Sequence, residues 1–154
     1  MRRAGVVATF FLAAWVAAPG GGAATYPCEP TPVDGFGPFG QGRPPLRVKI
    51  GTGHLLVGTV IAADTCKPLR GVDVEFWQSN AGGVYKLAGS ATVVTDKNGR
   101  FRFQAPVPPQ YEGLPPHIHI RIIRSGYKTL LSRYVLARGE KRGSVRLVLE
   151  PDDV

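Results

Sequence analysis

Hydrophobic and polar residues alternate in short runs along most of this chain. Val72, Val74 and Phe76 alternate with Asp73, Glu75 and Trp77, a period of two that predicts a half-buried strand with one apolar face. Phe101 and Phe103 repeat the pattern after Asp96-Lys-Asn-Gly99, whose Asn-Gly pair tolerates positive φ and favours a tight hairpin. Similar runs predict strands at 47–50, 55–62, 72–78, 91–94, 100–104, 117–123, 129–136 and 145–149. Short strands separated by turn signals predict an all-β fold, a single β-sandwich of mostly antiparallel strands over 46–150, followed by an acidic tail at 151–154. No run carries the period of a helix.

Glycine and proline punctuate the pattern. They are dense between Tyr26 and Pro45, which predicts an extended arm over 25–45 lying on the domain. Gly82-Gly83 predicts a turn between Trp77 and Tyr85. Ala105-Pro-Val-Pro-Pro109 and Pro115-Pro116 cannot sit in a central strand, so they must shape the loops that deliver Tyr111 and His117.

The first 24 residues read as a secretory signal peptide, with Arg2 and Arg3 before an apolar stretch at 6–18 and small residues Gly21-Gly-Ala-Ala24 for cleavage. An uncleaved N-terminal anchor is the alternative. The expected mature protein is secreted, with no stable membrane insertion. Losing Arg2 and Arg3 lowers the formal charge from +8 to +6, which still favours anionic surroundings. The basic residues are scattered in sequence, with no nucleic-acid-binding motif, so nucleic acid is not an expected partner. Cys28 and Cys66 are the only cysteines, and an oxidising compartment would pair them; two buried thiols are the alternative.

Candidate chemistry lies in Tyr111-Glu-Gly-Leu-Pro-Pro-His117-Ile-His119-Ile-Arg-Ile. On a strand His117 and His119 project from one face, while Ile118, Ile120 and Ile122 pack into the core. A polar strand face that happens to carry histidine is the plain alternative to a metal site. The third histidine, His54, is expected to be a surface residue.

Trp77-Gln-Ser-Asn-Ala-Gly-Gly-Val-Tyr85, then Thr95-Asp-Lys-Asn-Gly-Arg-Phe-Arg-Phe103, then Tyr111 and Pro-His-Ile-His119 occur in an order that resembles the intradiol ring-cleavage dioxygenases, the catechol and protocatechuate enzymes and especially their small secreted members. The resemblance runs from Cys28-Glu-Pro-Thr-Pro to the strand of Tyr134. It implies a non-haem Fe(III) held by Tyr85, Tyr111, His117 and His119. Two phenolates and two neutral imidazoles suit a hard ferric ion, whereas two phenolates are unusual for zinc. The implied reaction inserts O2 into a catechol bound as a dianion and yields a cis,cis-muconate-type dicarboxylate. Tyr111 is the implied dissociating ligand that takes up a substrate proton. Tyr26, Tyr127 and Tyr134 match no ligand motif and are assigned to packing or surface.

Two departures stand out. Leu114 occupies the place, three residues before the first histidine, where the family usually carries an arginine. Arg133 stands where the family usually has glutamine, and it is the candidate to supply the missing cation; an exposed strand arginine, or Arg121 in its stead, are the alternatives. Leu114 also supports a second reading, a catalytically weak or inactive relative that binds catechols or iron. A third is a metal-free binding module on the same scaffold. The segment that builds the dimer interface of the larger enzymes is largely absent, so a monomer or weak homodimer is expected.

Overall fold

The computed structural model describes residues 25–35, 42–110 and 112–152. The predicted leader at 1–24, part of the arm at 36–41, Tyr111 and residues 153–154 lie outside the described residues. The described chain is all-β, with seven strands and no helix: β1 (His54–Ala62), β2 (Asp73–Ser79), β3 (Tyr85–Val94), β4 (Arg100–Ala105), β5 (His117–Ile122), β6 (Leu130–Val135) and β7 (Arg142–Leu149). They form a three-stranded sheet in the order β4-β1-β7 and a four-stranded sheet in the order β3-β2-β5-β6. Every pairing is antiparallel except β1 with β7.

The alternation read from the sequence is what closes the sandwich. Leu56, Val60, Phe103 and Leu147 of one sheet meet Val74, Phe76, Ile118 and Ile120 of the other in a common core. Phe76 and Phe103 stack across it with ring centroids 4.5 Å apart. Each such side chain contributes about 1.5–3 kcal/mol when fully buried.

Several expectations are corrected. Residues 47–50 do not form a strand, because they cross between the two sheets and can follow neither. The Arg47 N–H donates to the Thr92 carbonyl on β3, and the Ile50 N–H donates to the Gln104 carbonyl on β4. The turn at Asp96–Gly99 forms, with Gly99 at φ 69°, yet it does not close a hairpin ladder: β3 and β4 belong to different sheets, and β4 pairs with β1. Strand β3 begins at Tyr85, six residues earlier than its apolar run suggests. Trp77, expected on a polar face, is buried. His54 is buried as well, because it shares the inward parity of Leu56.

The arm guards the sheet edges. The Cys28 N–H bonds to the Ala63 carbonyl, Thr31 to Val148 on β7, and Asp34 to Leu131 on β6, while 45–50 covers β3 and β4. Open edges are templates for unwanted pairing, and here each outer strand is hydrogen-bonded to this segment. The expected disulfide is present: Cys28 and Cys66 are bonded, with Cα atoms 5.6 Å apart, and tie the arm to the end of β1. Closing that loop contributes about 2–4 kcal/mol. At the other terminus Pro151 and Asp152 pair with Tyr127 and Gly126.

Candidate active site

The site is built on the outer face of the four-stranded sheet. Ile118 and Ile120 of β5 turn inward, which sends His117 and His119 outward. Trp77 pairs with His119 in register and shares that face. Tyr85 reaches it by a different device. The Asn80 side chain accepts from the Gly82 and Val84 N–H groups in the β2–β3 turn, with Gly83 at φ 74°. The ladder then pairs Ser79 with Tyr85 but Trp77 with Ser90, leaving 86–89 as a bulge. The Arg47 guanidinium donates to the carbonyls of Leu87, Ala88 and Ser90 and clamps that bulge.

Three atoms converge as a result. Tyr85 Oη lies 3.1 Å from His119 Nε2 and 3.3 Å from His117 Nε2, and the two Nε2 atoms are 3.2 Å apart. His117 Nδ1 lies 2.8 Å from the Pro115 carbonyl, which only accepts, so Nδ1 carries a proton and, in the neutral ring, the lone pair falls on Nε2. Burial first, then the neighbouring His117 and Arg133, push His119 down to about 4, and it is neutral at pH 7. One phenol proton and at most one imidazole proton therefore serve three mutually facing atoms. A cation bound by all three removes the conflict. A metal–imidazole bond of about 2.1 Å places adjacent ligand atoms about 3.0–3.4 Å apart, which fits the spacing observed. Among the described residues no group of three or more His, Cys, Asp and Glu side chains is placed to hold a metal; this convergence is two imidazoles and a phenol.

Arg133 pairs directly with His119 across β5 and β6, and its Nε bonds to Asp34 Oδ2 at 2.5 Å. Arg121, on the same face, is engaged by Glu75 at 2.5 Å, one step farther along the ladder. Leu114 is exposed and Tyr111 lies outside the described residues. Two contributors had no legible signal in sequence, Arg47 and Asp34, and Trp77 was legible only as part of a motif, not as a buried residue. Two cavities flank this region without being lined by the three donors. One of about 450 Å³ is lined by Ser79, Val84 and Lys86, and one of about 620 Å³ by Gln110, Pro115 and Pro116.

A dioxygenase family model matches residues 43–140, well over half of the chain. The chain belongs to the intradiol ring-cleavage dioxygenase family. The chain is similar in structure to the dioxygenase domain of a dioxygenase carbohydrate-binding protein fusion from Streptomyces sp. SirexAA-E. They share 25% identity and a TM-score of 0.69, covering 80% of this chain and 100% of that one. Hydroxyquinol 1,2-dioxygenase from Pseudomonas putida DLL-E4 shares the fold at 18% identity and TM-score 0.68, covering 82% and 68%. So does an intradiol ring-cleavage dioxygenase from Tetranychus urticae, at 20% identity and TM-score 0.67, covering 80% and 96%. No curated relative matches by sequence.

Proposed function

We propose that this intradiol dioxygenase is a secreted, non-haem Fe(III) enzyme that inserts O2 into catechol-type aromatic diols and cleaves the ring between the hydroxylated carbons. The products are cis,cis-muconate-type dicarboxylates, in which both oxygen atoms of O2 are retained. The observation that carries this reading is the convergence of Tyr85, His117 and His119 within 3.1–3.3 Å on one sheet face of a member of this family.

Tyr85, His117 and His119 would hold the iron, with Tyr111 as the fourth ligand. Bound Fe(III) would supply the Lewis acidity that holds catechol as its dianion and activates its ring toward O2. Neutral imidazoles at His117 and His119, each donating a lone pair, leave the phenolates to balance the ion's charge. The Pro115 carbonyl fixes the His117 tautomer needed for this. Tyr111 would accept one of the two protons of the incoming diol at its phenolate oxygen, the other passing to a hydroxide. Arg133, opposite His119 and steadied by Asp34, orients the anionic substrate where Leu114 offers no charge. The Cys28–Cys66 bond suits an oxidising compartment and supports secretion. The mature protein is proposed to act as a monomer or weak homodimer.

The test is anaerobic addition of catechol to the Fe(III)-loaded mature domain, followed by oxygen. A tyrosinate-to-iron band that shifts with catechol and recovers as muconate absorbance grows is the expected result. A shift with no product on admitting oxygen would refute the activity.

A further inference from the structure

The two outer faces of the sandwich treat their arginines in opposite ways. On the four-stranded sheet each outward arginine meets an acid: Arg121 with Glu75, Arg133 with Asp34, and Arg43 of the arm with Asp73. On the three-stranded sheet none does. Arg100 and Arg102 of β4 alternate with buried Phe101 and Phe103, and Arg142 and Arg146 of β7 alternate with buried Gly143 and Leu147, so all four point to solvent. No ion pair engages any of them among the described residues. Asp96, four residues before Arg100, spends a carboxylate oxygen on the N–H groups of Asn98 and Arg100 in its turn and feels the Arg100 charge without closing an ion pair. Glu140, two residues before Arg142, is taken up by His54 and Tyr134.

The register aligns these cations across β1. Arg100 and Arg146 flank Thr59, Arg102 faces Ser144 across Val57, and Arg142 faces Gln104 across Leu55. Strand spacing sets Arg100 and Arg146 about 10 Å apart at the backbone, and successive outward residues of one strand about 7 Å apart. Charges that close lie within about one Debye length at physiological salt and repel one another. A groove of about 550 Å³ runs among them, lined by Val57, Thr59, Arg100, Arg142, Ser144 and Arg146.

We propose that this groove binds a linear acidic polysaccharide, with carboxylates engaged by Arg100, Arg142 and Arg146 and sugar rings resting on Val57 and Thr59 of β1. Guanidinium forks match carboxylates two bonds at a time, and a repeating anion on an extended chain matches cations repeated along two strands. Single-stranded nucleic acid is disfavoured because it needs exposed aromatic platforms, and the aromatic side chain lining this groove, Phe101, is only 5% exposed. The face lies across the sandwich from His117 and His119, so a bound polymer would leave that cluster open and hold the protein at an anionic matrix.

The test measures binding of the mature protein to polygalacturonate, to its methyl-esterified neutral form, to poly-glutamate and to a single-stranded DNA of equal charge. Polygalacturonate is expected to bind most tightly and the neutral form not at all. The triple variant Arg100→Gln/Arg142→Gln/Arg146→Gln is expected to weaken binding at least about tenfold and to flatten its salt dependence. A control variant, Lys67→Gln/Arg70→Gln/Arg138→Gln, removes equal charge from exposed positions elsewhere and is expected to change affinity by less than about twofold. Equal losses in the two variants would reduce the effect to bulk charge and overturn the proposal. Tighter binding of DNA or poly-glutamate would overturn it in favour of those partners.

Discussion

Two regions of this protein bring histidine and tyrosine together in buried surroundings, and they do opposite things. At the candidate site Tyr85, His117 and His119 face one another with no carboxylate among them. At the start of β1 His54 Nε2 lies 2.9 Å from Glu140 Oε1, Tyr134 Oη donates to the same oxygen at 2.6 Å, and the Ala137 N–H donates to Oε2. The carboxylate there accepts what its neighbours donate, although His54 Nδ1 is left buried without a partner among the described residues. The Tyr134 hydrogen bond leads the causes that hold Glu140 below the usual carboxylate range. The first region has acceptors in surplus and calls for a cation. Residue type does not separate the two regions; the carboxylate that takes up the protons of one and is missing from the other does.

The sharpest way to break this contrast is to delete one histidine from each region. His119→Ala is expected to abolish catechol turnover, exceeding the about 10- to 100-fold that loss of an outer-shell partner costs. Steady-state kinetics with catechol check it. Arg133→Leu, beside the first region, is expected to lower kcat/KM by about 10² to 10³ while iron content stays at one per chain, as for other removed electrostatic contributors. Undiminished turnover in that variant would assign the role elsewhere.

His54→Ala should behave in the other manner. It removes a buried partner of Glu140 and is expected to cost about 1–3 kcal/mol of unfolding free energy in denaturant titration, with iron loading unchanged. The smallest effect is on pH. Burial, then Glu140, push the Tyr134 phenol up from 10.0 to about 12. Between those values the unfolded chain has lost this proton and the folded chain keeps it. The contribution of Tyr134 is therefore complete below about pH 10 and is lost as pH rises through about 12. Thermal melts of wild type and Tyr134→Phe should converge over that window.

The sandwich and the two site histidines were legible because period-two alternation is local: Ile118, Ile120 and Ile122 point inward wherever the strand is placed. Tyr85 was legible through its motif, although the bulge that turns it and the Arg47 clamp on that bulge depend on a segment 40 residues away. His54 was misread for the same reason, since its partner Glu140 is 86 residues distant. Trp77 interrupts a polar face, and nothing in its own strand signals that this position is covered. The arginine groove is invisible in the chain because 100–102 and 142–146 meet only across β1. Long-range pairing of polar groups, rather than hydrophobic pattern, is where sequence reading stopped.

The central claim is that Tyr85, His117 and His119 form the iron site and His54 does not. Titration of the apoprotein with Fe(III) nitrilotriacetate, followed by the tyrosinate-to-iron band, tests it in wild type, His119→Ala and His54→Ala. One equivalent should saturate the band in wild type and His54→Ala, and no band should form in His119→Ala. Saturation of His119→Ala at the wild-type level, or no band in wild type, would contradict the account.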